Sequence, residues 1–217
     1  MVVGTVPLKP QYGPTLGRLL APRWHAASRA VRGLVIAAGG GLAVVAITAV
    51  FVLWPATYSH GGPAPFHFSY RGLYRTTPAP GQFVRIERRS DGRLEDSFAV
   101  APLRLPPYTG GLSAELPLYA SGYIAGLSSR FDGFVLRGEG KTRVNTVPAY
   151  DVLYTATVAG HEVYGRDVLL LSERPGARDG VAIEMLTSTT SSPRITAPVE
   201  VALNGVLERP LETFTLG

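Results

Sequence analysis

Apolar residues follow two different patterns along the chain. Residues 33–54 form one continuous apolar run without a charged side chain. From residue 66 onward, apolar residues either alternate with polar ones or recur at the spacing of a helix face. The first pattern is typical of a helix that crosses a membrane, and the second is typical of strands and amphipathic helices in a folded domain.

The apolar run 33–54 is long enough to span a bilayer. A helix rises about 1.5 Å per residue, so these residues extend over roughly 33 Å, against a hydrocarbon core of about 30 Å. The basic residues of the first 54 all precede the run, at positions 9, 18, 23, 29 and 32. This asymmetry predicts a single-pass cell-membrane protein, with the amino-terminal tail 1–32 in the cytoplasm and the carboxyl-terminal domain extracytoplasmic. The rival interpretation, a cleaved signal peptide, requires a shorter apolar core.

The predicted membrane helix makes the lipid bilayer the first expected partner. Gly33, Ala37 and Gly41 recur every four residues, a spacing that lets two membrane helices approach closely. A homodimer through this helix is therefore one interpretation. The other is that the spacing merely reflects a chain rich in Ala and Gly.

The net charge of +5 comes from the amino-terminal tail. Removing its five basic residues leaves 16 Lys and Arg, which equals the 16 Asp and Glu of the rest. Nucleic acid is not predicted as a partner, because it would require a basic face on the folded domain. The chain has no cysteine, which excludes disulfides and thiolate-bound metals. Lys occurs only twice while Arg is abundant, a bias that favours a GC-rich bacterium, foremost an actinobacterium.

Residues 66–217 carry the pattern of an α+β domain, joined to the membrane helix by a Pro- and Gly-rich linker at 55–65. Tight turns at Asp91-Gly92 and Ala159-Gly160 predict antiparallel hairpins. The strand-like segments are 66–70, 83–88, 94–100, 134–144, 149–158, 162–171 and 181–187. The predicted fold is therefore one N-terminal transmembrane helix followed by a twisted antiparallel sheet packed with two helices.

Two segments have the spacing of soluble helices. In the first, Pro117 suits the opening turn, and one face is apolar through Leu116, Ala120, Tyr123, Ile124, Leu127 and Phe131. The second begins at Pro198 and ends before Pro210. Its predicted apolar face consists of Val199, Ala202, Leu203 and Val206.

The central hairpin carries a family resemblance. Residues 154–171 read YTATVAGHEVYGRDVLLL, and Pro148-Ala149-Tyr150 precedes them. Together with the carboxyl-terminal helix, these features resemble the PsbP-like superfamily and the related LpqN-type envelope lipoproteins of actinobacteria over about residues 66–215. The resemblance implies an accessory or binding protein without catalysis, and it transfers no functional residue. The membrane helix stands where the family has a lipidated cysteine or a transit peptide.

No constellation of residues predicts catalysis, a metal site or a cofactor. His60, His67 and His161 lack the converging spacing of zinc ligands. Ser128 and Ser129 are followed by Arg130 rather than by the glycine of a nucleophile elbow, so they are interpreted as the solvated end of a helix.

Candidate binding residues lie on the central hairpin and in the loop before the first helix. Tyr150 and Tyr154 share one strand face, and Tyr164 and Arg166 share another, by the two-residue period of a strand. Tyr and Arg suit a binding surface, but they also suit a cross-strand ladder on a solvated face, which the pattern favours. Tyr108, in the Pro-rich loop 101–112, is the fifth candidate, with a loop that caps the core as the alternative.

The sequence thus predicts a binding or accessory protein of a bacterial envelope that contacts an envelope protein or lipid. A membrane-tethered envelope hydrolase is the alternative. A pocket with converging His, Asp or Glu would favour the enzyme, whereas an apolar groove or patch would favour binding.

Overall fold

The computed structural model describes residues 28–31, 33–34, 36–38, 40–42, 44, 54–62, 64–106, 112–172 and 178–217. The chain divides into two compact units, Met1–Trp54 and Pro55–Gly217. In the first unit, the described residues from 29 to 44 are helical and exposed.

The predicted transmembrane helix is not supported. In the part of the chain that the structure describes, no helix has the length and apolar character needed to cross a membrane. The fold-class prediction is therefore wrong in this element. Of the predicted span 33–54, residues 35, 39, 43 and 45–53 lie outside the described residues.

The second unit is built mainly from strands. Its elements are β1 (Ala56–His60), β2 (Phe66–Tyr70), β3 (Tyr74–Thr76), β4 (Val84–Ser90), β5 (Arg93–Arg104), α1 (Leu112–Arg130), β6 (Asp132–Val144), β7 (Val147–Val158), β8 (His161–Leu171), β9 (Asp179–Ser188), a 3₁₀ turn (Pro198–Glu200), α2 (Glu208–Glu212) and β10 (Thr215–Leu216). They form a seven-stranded sheet of order β3-β4-β5-β9-β8-β7-β6 and a three-stranded sheet of order β1-β2-β10. All pairings between these strands are antiparallel.

Local turn chemistry sets the hairpins. Asp91-Gly92 and Ala159-Gly160 have positive φ at both positions, as a two-residue turn with the twist of the strands requires. They join β4 to β5 and β7 to β8. The hairpins predicted at these dipeptides are confirmed.

Both faces of the seven-stranded sheet are buried. The helix-side face, which bears Val152, Leu169 and Ala182, packs with α1 through Leu116, Ala120 and Leu127. The sandwich-side face packs on the three-stranded sheet and the carboxyl-terminal segment, with Phe98 4.9 Å from Phe68 between ring centroids. Because neither face is exposed to water along the central strands, β8 and β9 read as apolar runs rather than as clean alternation.

Three further predictions need correction. Residues 55–65 are not merely a linker, because β1 pairs with β2 along its whole length. The first helix begins at Leu112, so Pro117 lies inside it rather than in its first turn, although the predicted apolar face is confirmed.

The predicted second helix, 198–209, is replaced by the 3₁₀ turn, an irregular segment and the short α2, which contains Pro210. Ala202 and Gly205 have φ of 61° and 82°, conformations that break a helix. Val199 and Leu203 are consequently about half exposed instead of forming an apolar face.

Candidate functional site

Two acidic residues lie side by side in the centre of the seven-stranded sheet. Asp167 on β8 and Glu184 on β9 are directly paired across the strands, and both side chains point to the helix-side face. Asp167 is fully buried and Glu184 is buried. A buried charge is stable only when it is paired or hydrogen-bonded, so the groups around this pair determine what it can do.

Helix α1 supplies partners to both carboxyl groups. Tyr123 and Arg130 are seven residues apart, which is two helical turns, so they project from the same side of the helix. The Tyr123 hydroxyl donates to Asp167 Oδ2 at 2.8 Å, and Arg130 Nη1 donates to Glu184 Oε1 at 2.7 Å. The position of Arg130 at the carboxyl end of α1 also suits the helix dipole.

Two further side chains complete the shell. Tyr154 on β7 donates its hydroxyl to Asp167 Oδ1 at 3.2 Å, and Gln82, just before β4, donates its amide to Glu184 Oε2 at 2.5 Å. Each of the four carboxyl oxygens therefore accepts a hydrogen bond. We call these six residues the acidic cluster: Gln82, Tyr123, Arg130, Tyr154, Asp167 and Glu184.

Burial controls the ionisation of the cluster. Desolvation, followed by repulsion from Glu184, raises the pKa of Asp167 to about 7, while the hydrogen bond from Tyr123 and the charge of Arg130 act in the opposite direction. Burial and then the nearby Asp167 charge raise the pKa of both Tyr123 and Tyr154. Both tyrosines therefore stay protonated donors at neutral pH, while Asp167 takes up or releases its proton near pH 7.

A pocket of about 240 Å³ opens beside the cluster, at the carboxyl end of α1. Its apolar lining consists of Ala79, Ala99, Phe131, Tyr154, Val158 and Leu186. Its polar lining consists of Gln82, Arg85, Ser97, Arg130 and Glu184. Asp167 lies beneath this lining and does not reach the pocket.

The floor of the pocket depends on a glycine. Gly165 on β8 is paired with Tyr154 on β7, and the tyrosine ring covers the position where a side chain would be. An ideal Cβ at Gly165 would lie 2.2 Å from the Tyr154 ring atoms Cε2 and Cζ. The ring is also bounded by Phe131 and Phe134, at centroid distances of 5.7 and 5.2 Å. The tyrosine thus crosses β8 to reach Asp167 because residue 165 has no side chain.

The predicted binding residues are not brought together. Tyr150 and Tyr154 lie on the helix-side face, where both are buried. Tyr164 packs against the core of the sandwich-side face, where Arg166 also lies. Tyr108 lies outside the described residues. Of the four candidates that the structure describes, Tyr154 alone belongs to the acidic cluster and lines the pocket.

Arg166 has a structural environment. Its guanidinium makes a two-point contact with Asp151, Nε to Oδ1 at 3.1 Å and Nη2 to Oδ2 at 2.8 Å. Its Nη1 donates to the backbone carbonyl of Val201 at 3.1 Å, which ties β8 to the carboxyl-terminal segment. The pairing of Arg166 with Asp151 agrees with the second interpretation of the sequence, a ladder of side chains across the strands. It lies on a buried face, whereas the sequence predicted a solvated one.

Sequence reasoning missed Gln82, Arg85 and Glu184 and did not select Asp167. A signal was present, because Asp167 precedes the run VLLL and Glu184 interrupts VAIEML. A single acid within an apolar strand indicates a buried charge that needs partners. The partners themselves, Tyr123 and Arg130, had no sequence feature that linked them to these strands.

The arrangement suits binding better than acid–base catalysis. Asp167, the group that titrates near neutrality, is sealed from the pocket, and both oxygens of Glu184 are already engaged. A general acid or base must come within hydrogen-bond reach of its substrate. Among the described residues, no group of three or more His, Asp or Glu side chains is placed to hold a metal ion.

The sequence matches no family description and no curated protein. Among solved structures, the fold is similar to LpqN of Mycobacterium tuberculosis, a protein involved in cell envelope biogenesis. The likeness covers 75% of this chain and 91% of LpqN, with a TM-score of 0.50 and 9% sequence identity. The predicted resemblance to LpqN-type proteins is therefore confirmed at the level of the fold.

Two other solved structures show weaker likeness. The Ran-binding protein Mog1p of Saccharomyces cerevisiae matches with a TM-score of 0.46 and 12% identity, over 75% of this chain and 95% of that chain. A Pseudomonas aeruginosa protein of unknown function, described as a putative regulator, matches with a TM-score of 0.36 and 12% identity, over 64% of this chain and 86% of that chain.

Proposed function

We propose that this protein is a non-catalytic binding or accessory protein of a bacterial cell envelope, with its Pro55–Gly217 unit on the extracytoplasmic side. The observation that carries the binding role is the pocket at the carboxyl end of α1, which is open to solvent while the titrating acid beneath it is closed off. Its partner is an envelope protein or a lipid-derived molecule.

The envelope assignment is supported by the fold. LpqN, whose fold this chain shares, is involved in cell envelope biogenesis. The Arg-rich, Lys-poor composition favours an actinobacterial source, which agrees with an LpqN-type protein. The absence of cysteine means that the unit is held together by its two apolar clusters rather than by disulfides.

Thiol labelling in intact cells tests the location. The chain has no cysteine, so a single introduced cysteine gives a clean signal. Tyr74 on β3 is 74% exposed, and the variant Tyr74→Cys, expressed in an actinobacterial host, is expected to react with a membrane-impermeant maleimide before lysis. Labelling is measured by the mass shift of the purified protein.

Two controls make the result decisive. Val84→Cys, whose side chain is fully buried, should react only after denaturation and so shows that labelling reports exposure. A cytoplasmic protein with an exposed cysteine should react only after lysis. If Tyr74→Cys behaves like the cytoplasmic protein, the extracytoplasmic location is wrong.

A further inference from the structure

In the pocket at the carboxyl end of α1, the hydrogen-bond acceptors of the lining are mostly engaged, whereas several donors are not. Its carboxylate and amide acceptors are taken. The two oxygens of Glu184 accept from Arg130 and Gln82, and the side-chain oxygen of Gln82 accepts from the backbone N–H of Ala79 at 3.0 Å. The Ser97 hydroxyl is another side-chain acceptor of the lining. The Tyr154 hydroxyl is directed at Asp167. A ligand therefore finds few free acceptors in this pocket.

Donors, in contrast, remain available. A guanidinium carries five N–H donors, and Arg130 uses one nitrogen on Glu184. Arg85 contacts Glu87 through Nε at 2.5 Å, but this buried Nε makes no hydrogen bond of good geometry. Among the described residues, the terminal nitrogens of Arg85 have no hydrogen-bond partner, and its ion pair with Glu87 is made through Nε. Two arginines thus present unused donors to one cavity.

The remaining lining is apolar, and the volume is small. Phe131, Tyr154, Val158 and Leu186 are the larger apolar residues of this lining. At about 240 Å³ the cavity lies below the range of roughly 300–1,000 Å³ that drug-sized ligands occupy. It fits a compact molecule with a short apolar body and a head group that accepts hydrogen bonds.

We propose that this pocket binds a small, soluble organic anion, a carboxylate or phosphate monoester with a short apolar body, held by Arg85 and Arg130. The paired donors of a guanidinium match the two oxygens of such a group. The apolar body lies against Phe131 and Leu186. This inference rests on the binding role proposed above and names its ligand class.

The test is a binding titration of the purified full chain with hexanoate, hexyl phosphate and hexylammonium, followed by NMR or calorimetry. Hexanoate or hexyl phosphate is expected to bind with a Kd on the order of 0.1–1 mM, as for other very small ligands. Hexylammonium, with the same apolar body and the opposite charge, is expected to bind at least about 10-fold more weakly.

Variants locate the site. Arg85→Ala should weaken hexanoate binding about 10-fold or more, since it removes a charge-assisted hydrogen bond to the carboxylate. Glu87 keeps its other partner, Arg89, at 2.9 Å, so this change does not leave an unpaired buried acid. Val158→Trp, which fills the cavity and leaves all charges in place, should abolish binding. Arg93→Ala, at the exposed start of β5, is the matched control and should bind as the unaltered protein does.

Any of three outcomes overturns the inference. The three probes bind equally, Arg85→Ala binds hexanoate as tightly as the unaltered protein, or no probe binds at about 10 mM. Binding only to phosphatidylglycerol vesicles, run as a separate arm, also overturns it, because the ligand would then be a lipid surface. The titration uses purified protein and is independent of the thiol labelling in cells. If the titration fails, the proposed ligand class is wrong, while the envelope location is still judged by the labelling.

Discussion

The Asp167→Asn variant is expected to be more stable than the unaltered protein at pH 8, and this advantage is expected to shrink to about a third at pH 5 and to vanish near pH 4. Burial and Glu184 raise the pKa of Asp167 to about 7, whereas the same group in an unfolded chain titrates near pH 4. Between these values the folded protein keeps a proton that the unfolded chain has released. The free energy of unfolding therefore falls as the pH rises from about 4 to about 7.

The size of the effect follows from the shift. One pKa unit corresponds to about 1.4 kcal/mol, so a shift of roughly three units has an upper limit of about 4 kcal/mol. We expect a difference of about 2–4 kcal/mol between variant and unaltered protein at pH 8. Asparagine can accept from one tyrosine hydroxyl and donate to the other, as the protonated acid does, so the substitution itself costs little where Asp167 is protonated in both the folded and the unfolded state, below about pH 4.

Urea denaturation at pH 5, 6, 7 and 8 measures this difference. Asp132→Asn, which removes an exposed carboxyl at the start of β6, is the matched control and should leave the pH profile unchanged. A difference between Asp167→Asn and the unaltered protein that is the same at every pH would show that Asp167 does not titrate in this range. The comparison needs no ligand, so it tests the acidic cluster independently of the pocket.

Features that depend on neighbouring residues could be predicted from the sequence. The turn at Ala159-Gly160 needs positive φ at two adjacent positions, and the residues around it alternate as strands. The apolar face of α1 repeats at helical spacing within the segment itself. In both cases the physical cause lies within about ten residues, so no knowledge of distant contacts was required.

Features that depend on distant strands could not be predicted in the same way. Arg166 and Asp167 are adjacent, so a strand places them on opposite faces, and the sequence selected Arg166 as the functional candidate. Elements that are distant in sequence decide which face holds a site. Strand β9 brings Glu184 beside Asp167. Helix α1 brings Tyr123 and Arg130 to the same face. Because both faces are buried, the usual polar-out rule gave no choice between them.

Two of the predictions that need correction have a common cause. The membrane span 33–54 and the helix 198–209 are predicted from apolar composition and spacing, and in the second segment Pro198 indicates only where a helix could begin. In the second segment, Ala202 adopts φ of 61°, which no propensity of alanine indicates. Contacts of Val201 and Leu207 in the sandwich-side core decide the backbone there instead.

Gly165→Ala is expected to destabilise the protein by about 3 kcal/mol or more. The added methyl group would lie 2.2 Å from the ring of Tyr154, which is fully buried. Phe131 and Phe134 bound the ring at centroid distances of 5.7 and 5.2 Å, which limits its movement away from the new methyl group. Inserting atoms into a packed core usually costs about 1–3 kcal/mol, and the cost is higher where the neighbour cannot relax.

A matched glycine controls for the backbone effect. Gly140 lies on β6, two strands away from Gly165 in the same sheet, and a Cβ there would meet nothing within 4 Å. Gly140→Ala should therefore change the free energy of unfolding by less than about 1 kcal/mol. Equal effects at the two glycines would mean that the loss at Gly165 comes from the backbone and not from the tyrosine ring.

The double variant Gly165→Ala/Tyr154→Ala separates the clash from other causes. Removing the ring creates a cavity that costs stability by itself, but it also removes the atom that the new methyl group meets. The double variant should therefore be more stable than the sum of the single effects predicts, by roughly 1–3 kcal/mol. Additive effects would mean that Tyr154 does not occupy the space over Gly165. Non-additive effects of Gly165→Ala and Tyr154→Ala would establish that the Tyr154 ring lies over Gly165. From that position its hydroxyl reaches Asp167 and its ring forms the floor of the pocket.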